Sequence, residues 1–191
     1  KGGDFIVTHP FSSLASATIK GIFWPMFFMT ILLMVVLNVV GIPLTTKAAP
    51  YGIISYELAG KVPRAAQILS SWDYDAQIHA AFSLGLDYVF LLAYSTTIGL
   101  ACVWTARILQ EIGWPLAQIG IPLAWGQWLA ALLDAIENFA LITMLFRNVT
   151  GPWPLIAYWS AIIKFLLVFL GLVYALLGLV VILLVKEKVD R

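Results

Sequence analysis

Long runs of apolar residues, separated by short polar segments, dominate the chain. A helix needs about 20 apolar residues to cross the ~30 Å hydrocarbon core of a bilayer. Four runs reach that length, and Pro122 and Pro154 stand where the third and fourth helices would begin. The pattern therefore predicts four membrane-spanning helices, over residues of about 22–40, 80–108, 122–146 and 155–185.

The segment between the first and second spans is too long for a simple turn. Within residues 51–77, apolar positions recur at helical spacing and are interrupted by Gly60 and Pro63, which favours two short helices. We expect these helices to lie at the membrane interface, because the second carries an apolar face. The connection 148–154 is short and rich in turn residues, so the third and fourth spans are predicted to be antiparallel neighbours.

The composition of the chain is that of a membrane protein rather than of a soluble domain. Of its 191 residues, 62% are hydrophobic and 11% are charged, whereas a soluble domain is about half apolar and about a quarter charged. We predict an all-α integral membrane protein with four transmembrane helices in one bundle and short interfacial helices between the first and second spans. Residues 1–191 form a single domain in this prediction. The net charge of +1 argues against nucleic acid as a partner.

The positions of Lys and Arg near the span ends predict the orientation in the membrane. One side carries more of these residues than the other, which favours both termini in the cytoplasm. We expect the bacterial inner membrane or an equivalent membrane, with lipids as partners and a second membrane protein or a homo-oligomer as further candidates. The residues on the cytoplasmic side are Lys1, Lys20, Arg107, Lys186, Lys188 and Arg191, and those on the other side are Lys47, Lys61, Arg64 and Arg147.

Ionisable residues inside the predicted third and fourth spans are the strongest functional signal in the sequence. In the stretch "LLDAIENFALITMLF", Asp134, Glu137 and Asn138 interrupt an apolar run. At about 100° per residue, these three share one face of the helix with Gln127. Lys164 lies on a face of small residues in the fourth span, and such faces let helices approach closely. We therefore expect these side chains to face other helices rather than lipid.

The depths of these groups predict that they meet. At a rise of about 1.5 Å per residue, Glu137 and Lys164 both lie ~15 Å from the turn that joins their helices. Asp87 and Tyr94 of the second span enter from the same side, where Asn38 ends the first span. The sequence thus predicts one polar cluster in the outer half of the membrane. Its members are Asp87, Tyr94, Gln127, Asp134, Glu137, Asn138 and Lys164.

The predicted cluster has more carboxylates than cations. A lone charge at the centre of a membrane helix costs about 2.5–3.5 kcal/mol, so these groups must pair, become neutral or meet water. Lys164 can balance one carboxylate, most simply Glu137, which leaves Asp87 and Asp134 without an obvious partner. We expect a pocket that opens to the outer side and is capped by the segment 41–79. The candidate cap residues are Glu57 and Arg64.

No motif of a catalytic or nucleotide-binding site occurs in the sequence. A Walker loop, the G-x-S-x-G and H-E-x-x-H patterns and a dinucleotide fingerprint are all absent. Asp73, Asp75 and His79 form an ordinary loop at a helix start, so we predict no metal site. No cofactor is predicted either.

Three interpretations of the cluster stay open at the level of sequence: a structural network, a ligand, ion or proton site, and a contact with a partner's cation. Our first hypothesis is a non-enzymatic membrane protein whose pocket binds a lipid, another amphiphile or a partner subunit, as in an accessory subunit of a membrane complex. The second is an intramembrane enzyme for a lipid-like substrate, with Asp134 and Glu137 as acid and base beside Lys164. The third is proton or cation translocation by an oligomer.

Overall fold

The computed structural model describes residues 8–189, and the side chains of residues 8–184. Within this part of the chain there are six α-helices and no strand. Lys1 and Arg191, which contributed to the predicted orientation, lie outside the described residues, as do the side chains of Lys186 and Lys188. The helices are α1 (Ser16–Val40), α2 (Ile53–Glu57), α3 (Val62–Ser70), α4 (Tyr74–Glu111), α5 (Gly120–Phe146) and α6 (Trp153–Val189).

Four of these helices are long and apolar enough to cross a membrane, which confirms the four apolar runs as helices of spanning length. The spanning segments correspond to α1, α4, α5 and α6, and a short 3-10 turn precedes α5 within the third. Their bounds are Ser16–Val40, Tyr74–Glu111, Pro115–Phe146 and Trp153–Leu184.

Two of the spanning helices begin about six residues before the predicted positions, because polar residues extend them beyond their apolar runs. At the start of α4, the Asp73 carboxylate accepts a hydrogen bond of 2.8 Å from the backbone N–H of Ala76. A side chain that caps the first free N–H groups fixes where a helix begins. His79, which is outside the apolar run, therefore belongs to α4.

Helix α4 packs against each of the other three spanning helices. Its contact with α1 includes a hydrogen bond of 3.1 Å between the hydroxyls of Thr30 and Thr97. Helices α5 and α6 run antiparallel from the short connection between them, and small buried side chains line their contact. Such residues let two backbones approach closely. They include Ala130 and Ala131 on α5 and Ala157, Ser160 and Ala161 on α6.

The buried apolar side chains form two clusters rather than one continuous core. One cluster, which includes Leu141 and Met144, lies toward the α5–α6 turn and also contains residues of α2 and α3. The other, which includes Leu100 and Tyr174, lies toward the opposite ends of the helices. Between these two clusters, α5 and α6 carry buried polar residues instead. The polar groups therefore form a layer within the protein.

The short helix α2 is held against the ends of the long helices. Gly52 and Gly60 flank it with φ values of 56° and 66°, a region of backbone conformation that favours glycine. The buried Tyr56 hydroxyl donates a hydrogen bond of 3.4 Å to the carbonyl of Leu141 on α5. These features fix the end of α2, where Glu57 lies.

Candidate functional site

The centre of the site is a buried ion-pair network between α5 and α6. The Nζ atom of Lys164 donates a hydrogen bond of 2.8 Å to Oδ1 of Asp134 and lies 2.7 Å from Oε2 of Glu137. All three residues are nearly inaccessible to solvent, and the exposed fraction of Glu137 is 0%. Buried charges of this kind require such close partners, because their desolvation is costly. We call Asp134, Glu137 and Lys164 the ion-pair triad.

Helix geometry and the short connection explain why the triad forms. Asp134 and Glu137 are three residues apart and therefore share a face of α5. Glu137 precedes the end of α5 by about as many residues as separate Lys164 from the start of α6. Two antiparallel helices joined by a short turn place such positions at the same level. The buried Ala161 and Ser160 keep the α6 backbone close to α5.

Helix α4 adds a polar side chain to each end of this arrangement. The Tyr94 hydroxyl donates a hydrogen bond of 2.9 Å to Oδ2 of Asp134. One turn beyond Asp134, the Nδ2 atom of Asn138 donates a hydrogen bond of 2.6 Å to Oδ2 of Asp87. Both oxygens of Asp134 thus have donors, whereas Asp87 accepts one hydrogen bond from the described residues.

Glu137 is the least satisfied member of the triad. Its Oε2 atom is close to Lys164 but is not aligned with a donor for a hydrogen bond, and its Oε1 atom has no hydrogen-bond donor among the described residues. The Glu57 carboxyl, from the end of α2, is a close neighbour of the Glu137 carboxyl. Two carboxyl groups can share a hydrogen bond only when one of them carries a proton.

Burial raises the pKa of the Glu57 carboxyl above its usual value. The positive charge of Lys164 opposes this shift, the negative charge of Asp134 adds to it, and the contact with Glu137 opposes it, but the net direction is upward. The exposed fraction of Glu57 is only 9%. The structure therefore favours the protonated form of this carboxyl more than water does.

We predict that Glu57→Gln makes the protein more stable than the wild type near neutral pH. Because the folded state holds the Glu57 proton more tightly than the unfolded state, stability contributed by this proton is present at low pH and is lost as pH rises. The neutral glutamine has no proton to lose, so the advantage of the variant should vanish near about pH 4. Unfolding in mixed detergent micelles across this range measures the difference.

A matched control is Asp75→Asn, which neutralises an exposed carboxylate in the first turn of α4. This variant should show no comparable gain in stability as pH rises. A Glu57→Gln protein that is less stable than the wild type at neutral pH would contradict the prediction.

A cavity of about 280 Å³ lies beside the triad, between the end of α1, helix α2 and the first half of α4. Its apolar wall includes Leu37, Ile53 and Leu84. No residue of the triad lines the cavity. The triad is linked to it through Glu137, which neighbours the lining residue Glu57. We call this space the polar cavity. Its main polar lining residues are Asn38, Glu57, Ser83, Asp87 and Asn138.

The structure places the other two predicted site residues away from this cavity. Gln127 is fully buried between α5 and α6, where its Nε2 atom donates a hydrogen bond of 2.9 Å to the carbonyl of Leu167. Arg64 is exposed on α3 and donates hydrogen bonds of 2.8 Å to the side chain of Gln67 and to the carbonyl of Ala48. The remaining predicted residues either form the triad and its hydrogen bonds or line the polar cavity.

Ser83 is a lining residue that the sequence analysis did not single out. It is buried and precedes Asp87 by four residues, so both lie on the same face of α4. The four-residue spacing of Ser83 and Asp87 is visible in the sequence and could have identified Ser83 as a candidate. A hydroxyl one turn from a carboxylate in a spanning helix extends the polar face toward the helix start.

Taken together, these groups can hold a positive charge, share a proton and accept hydrogen bonds next to an apolar wall. No group of three or more carboxylate, imidazole or thiol side chains in the described part of the chain is arranged to hold a metal ion. Comparisons of the chain with protein-family models, with curated proteins and with solved structures find no match. The geometry of the polar cavity and the triad is therefore the basis for assigning a function.

Proposed function

We propose that the protein is a non-enzymatic membrane protein that binds the polar part of a lipid or another amphiphile in the polar cavity. In this proposal the four spanning helices form one bundle, and α2 and α3 lie at the membrane interface. The contacts of α4 with α1, α5 and α6 support the bundle. The contact of Tyr56 with Leu141 supports the position of α2 over the ends of the long helices.

The amphipathic lining of the polar cavity is the observation that carries this proposal. Leucine and isoleucine side chains line the cavity together with the polar groups of Glu57, Asp87 and Asn138. Binding sites for small molecules are concave and mostly apolar, with a few polar groups that fix the orientation of the ligand. A lipid headgroup with its first methylenes has the same division into a polar and an apolar part.

An intramembrane enzyme that uses Asp134 and Glu137 as acid and base receives less support. Catalytic groups must come within hydrogen-bond reach of the substrate. Asp134 is saturated by Tyr94 and Lys164, and neither Asp134 nor Glu137 lines the polar cavity. A substrate in this cavity would meet Glu57 and Asp87 first.

Filling the polar cavity tests the proposal. Ile54 lines the cavity, and its side chain is 45% exposed, so Ile54→Trp can be accommodated without disturbing the core. The protein is purified in a mild detergent, and native mass spectrometry measures the bound lipid. We expect Ile54→Trp to retain about tenfold less lipid than the wild type, which corresponds to about 1.4 kcal/mol of binding free energy.

Ile163→Trp is the matched control, since Ile163 is similarly exposed but lies on α6 and outside the cavity. This variant should retain lipid as the wild type does. Equal retention by all three proteins would count against the proposal. A protein subunit that co-purifies with the wild type and is lost in Ile54→Trp would instead assign the cavity to a partner.

A further inference from the structure

The polar cavity has acidic groups in its wall and no basic ones among the described residues. Glu57 and Asp87 contribute carboxyl groups, and no Lys, Arg or His side chain lines the cavity. Glu57 is about nine-tenths buried and accepts no hydrogen bond from an N–H or O–H group in the described part of the chain. Its close polar neighbour is another carboxyl, that of Glu137. A ligand in the cavity therefore meets Glu57, which has no described N–H or O–H donor, and Asp87, whose one described donor is the amide of Asn138.

The excess of acids over cations is not removed by the triad. Four carboxyl groups lie near one another here, and among the described residues Lys164 is the one cation close to them, in contact with Asp134 and Glu137. Each oxygen of Asp134 already accepts a hydrogen bond, from Lys164 or from Tyr94. Asp87 has one donor, the amide of Asn138. The Oε1 atom of Glu137 has no donor among the described residues.

Other basic residues of the described chain do not supply the missing charge. Arg64 is exposed and forms its hydrogen bonds with Gln67 and the carbonyl of Ala48. Lys47, Lys61 and Arg147 are exposed, and none of them lines the polar cavity. None of these residues brings a positive charge into the polar cavity.

We propose that the polar cavity recognises an ammonium group, which Glu57 and Asp87 receive as hydrogen-bond acceptors while the apolar wall contacts the adjoining methylenes. This inference rests on the proposed function, and adds the charge of the ligand to it. A primary ammonium has three N–H donors and no acceptor, which complements one carboxyl without a described donor and one with a single donor. An anionic headgroup would instead bring negative charge beside two acids, which is unfavourable.

Arrival of the ammonium is coupled to departure of a proton. In the ligand-free cavity, burial beside the Glu137 carboxyl favours the protonated form of Glu57. The ammonium takes the place of this proton on Glu57, and the proton leaves to water through the cavity. The charged or titratable groups that face Glu57 are Lys164 from α6, Asp134 and Glu137 from α5 and Asp87 from α4. Helix α1 contributes only the uncharged Leu37 and Asn38 to the cavity.

The coupling has a defined sign. Since the ammonium competes with a proton whose release from Glu57 is shifted upward, affinity for an ammonium ligand should rise as pH increases above the ordinary range of a glutamic acid. A primary amine stays charged through neutral pH, because an amine of this type has a pKa of about 10. The pH dependence should therefore come from the protein and should be absent in Glu57→Gln.

The test compares two lipids with identical acyl chains, phosphatidylethanolamine, which has an ammonium, and phosphatidylglycerol, which does not. Each is titrated into the full-length protein in detergent, and native mass spectrometry measures the bound fraction. We expect about tenfold preference for phosphatidylethanolamine, and loss of this preference in Glu57→Gln and Asp87→Asn. Asp75→Asn, an exposed carboxylate at the start of α4, is the control that should keep it.

A second arm identifies the source of the ammonium. Hexylammonium chloride and 1-hexanol are added as competitors, because they differ in the charged group alone. Displacement of phosphatidylethanolamine by hexylammonium but not by hexanol supports recognition of the ammonium on a lipid. Binding of hexylammonium that depends on Glu57, without preference for phosphatidylethanolamine, supports a soluble amine as ligand.

The outcomes separate this inference from the proposed function. Suppose the two lipids bind equally, Ile54→Trp abolishes binding and Glu57→Gln does not change it. This result would overturn the ammonium inference and leave a lipid site in place. Lipid binding that none of the three variants alters would overturn both.

Discussion

Lys164→Met is expected to lower the free energy of unfolding by about 3–5 kcal/mol, the cost of leaving buried carboxylates without their cation. Lys164 contacts Asp134 at 2.8 Å and Glu137 at 2.7 Å, and all three side chains are buried. Methionine has a similar length and is apolar, so the change removes the charge while it preserves much of the volume. Unfolding of the purified protein in mixed detergent micelles measures the loss.

The partners of Lys164 provide an internal test. Neutralising both carboxylates in the same protein, with Asp134→Asn and Glu137→Gln, should recover most of the stability that Lys164→Met removes, because no uncompensated charge then remains. Lys61→Met, which removes an exposed cation, should change the free energy of unfolding little. If Lys164→Met unfolded at the same detergent composition as the wild type, the triad would have no role in stability.

Gly120→Ala is expected to destabilise the protein by about 1–3 kcal/mol, although it adds a single methyl group. Gly120 is the first residue of α5, and a Cβ atom there would lie 2.6 Å from the Cβ of Ala106 and 2.8 Å from the carbonyl oxygen of Cys102. Backbone and Cβ atoms cannot rotate away as the end of a long side chain can. Helices α4 and α5 must therefore separate slightly, which unfolding in mixed micelles should detect.

Gly85→Ala is the matched control, because Gly85 lies within α4 and a Cβ atom there would have no neighbour within 4 Å. This substitution should leave the stability equal to or slightly above that of the wild type, since alanine favours a helix more than glycine does. A loss of the same size in both variants would show that helix propensity, and not the contact of α4 with α5, governs the effect.

The spanning helices were largely predictable from the sequence, because a run of about twenty apolar residues in a membrane can satisfy its backbone hydrogen bonds in few structures other than a helix. Their ends were less so. Helix α4 begins at Tyr74 because the Asp73 side chain caps it. The pattern of apolar residues does not reveal a cap that precedes the apolar run. Helix α1 likewise starts at Ser16, among polar residues that hydropathy assigns to the outside.

The site was predictable where it depends on helix periodicity and on a short connection. These two features together bring Asp134 and Glu137 to the level of Lys164, and the structure has all three in contact. Helix periodicity gives the face on which a residue lies but not its position along the axis. Gln127 shares the face of Asp134 but lies about 10 Å further along the helix axis. It bonds to the carbonyl of Leu167 instead.

The place of Glu57 in the cavity wall could not be predicted from helix periodicity or from a short connection. The position of Glu57 depends on how α2 is seated, and that is decided by contacts distant in sequence, such as the hydrogen bond of Tyr56 to Leu141. For the same reason the sequence could not tell Glu57 from Arg64, since both lie in the segment that follows the first span. Only Glu57 lines the cavity.

Helix α1 buries few of its side chains against the rest of the protein, but it supplies part of the wall of the polar cavity. Its buried side chains are Ile19 and Leu33, whereas Leu37 and Asn38 line the polar cavity. Apolar helix faces gain little from one another in a bilayer, because acyl chains are equally good neighbours. Parting α1 from α4 would therefore leave the contacts among α4, α5 and α6 intact. If the proposed function holds, this gives a lipid a lateral route into the polar cavity from the bilayer.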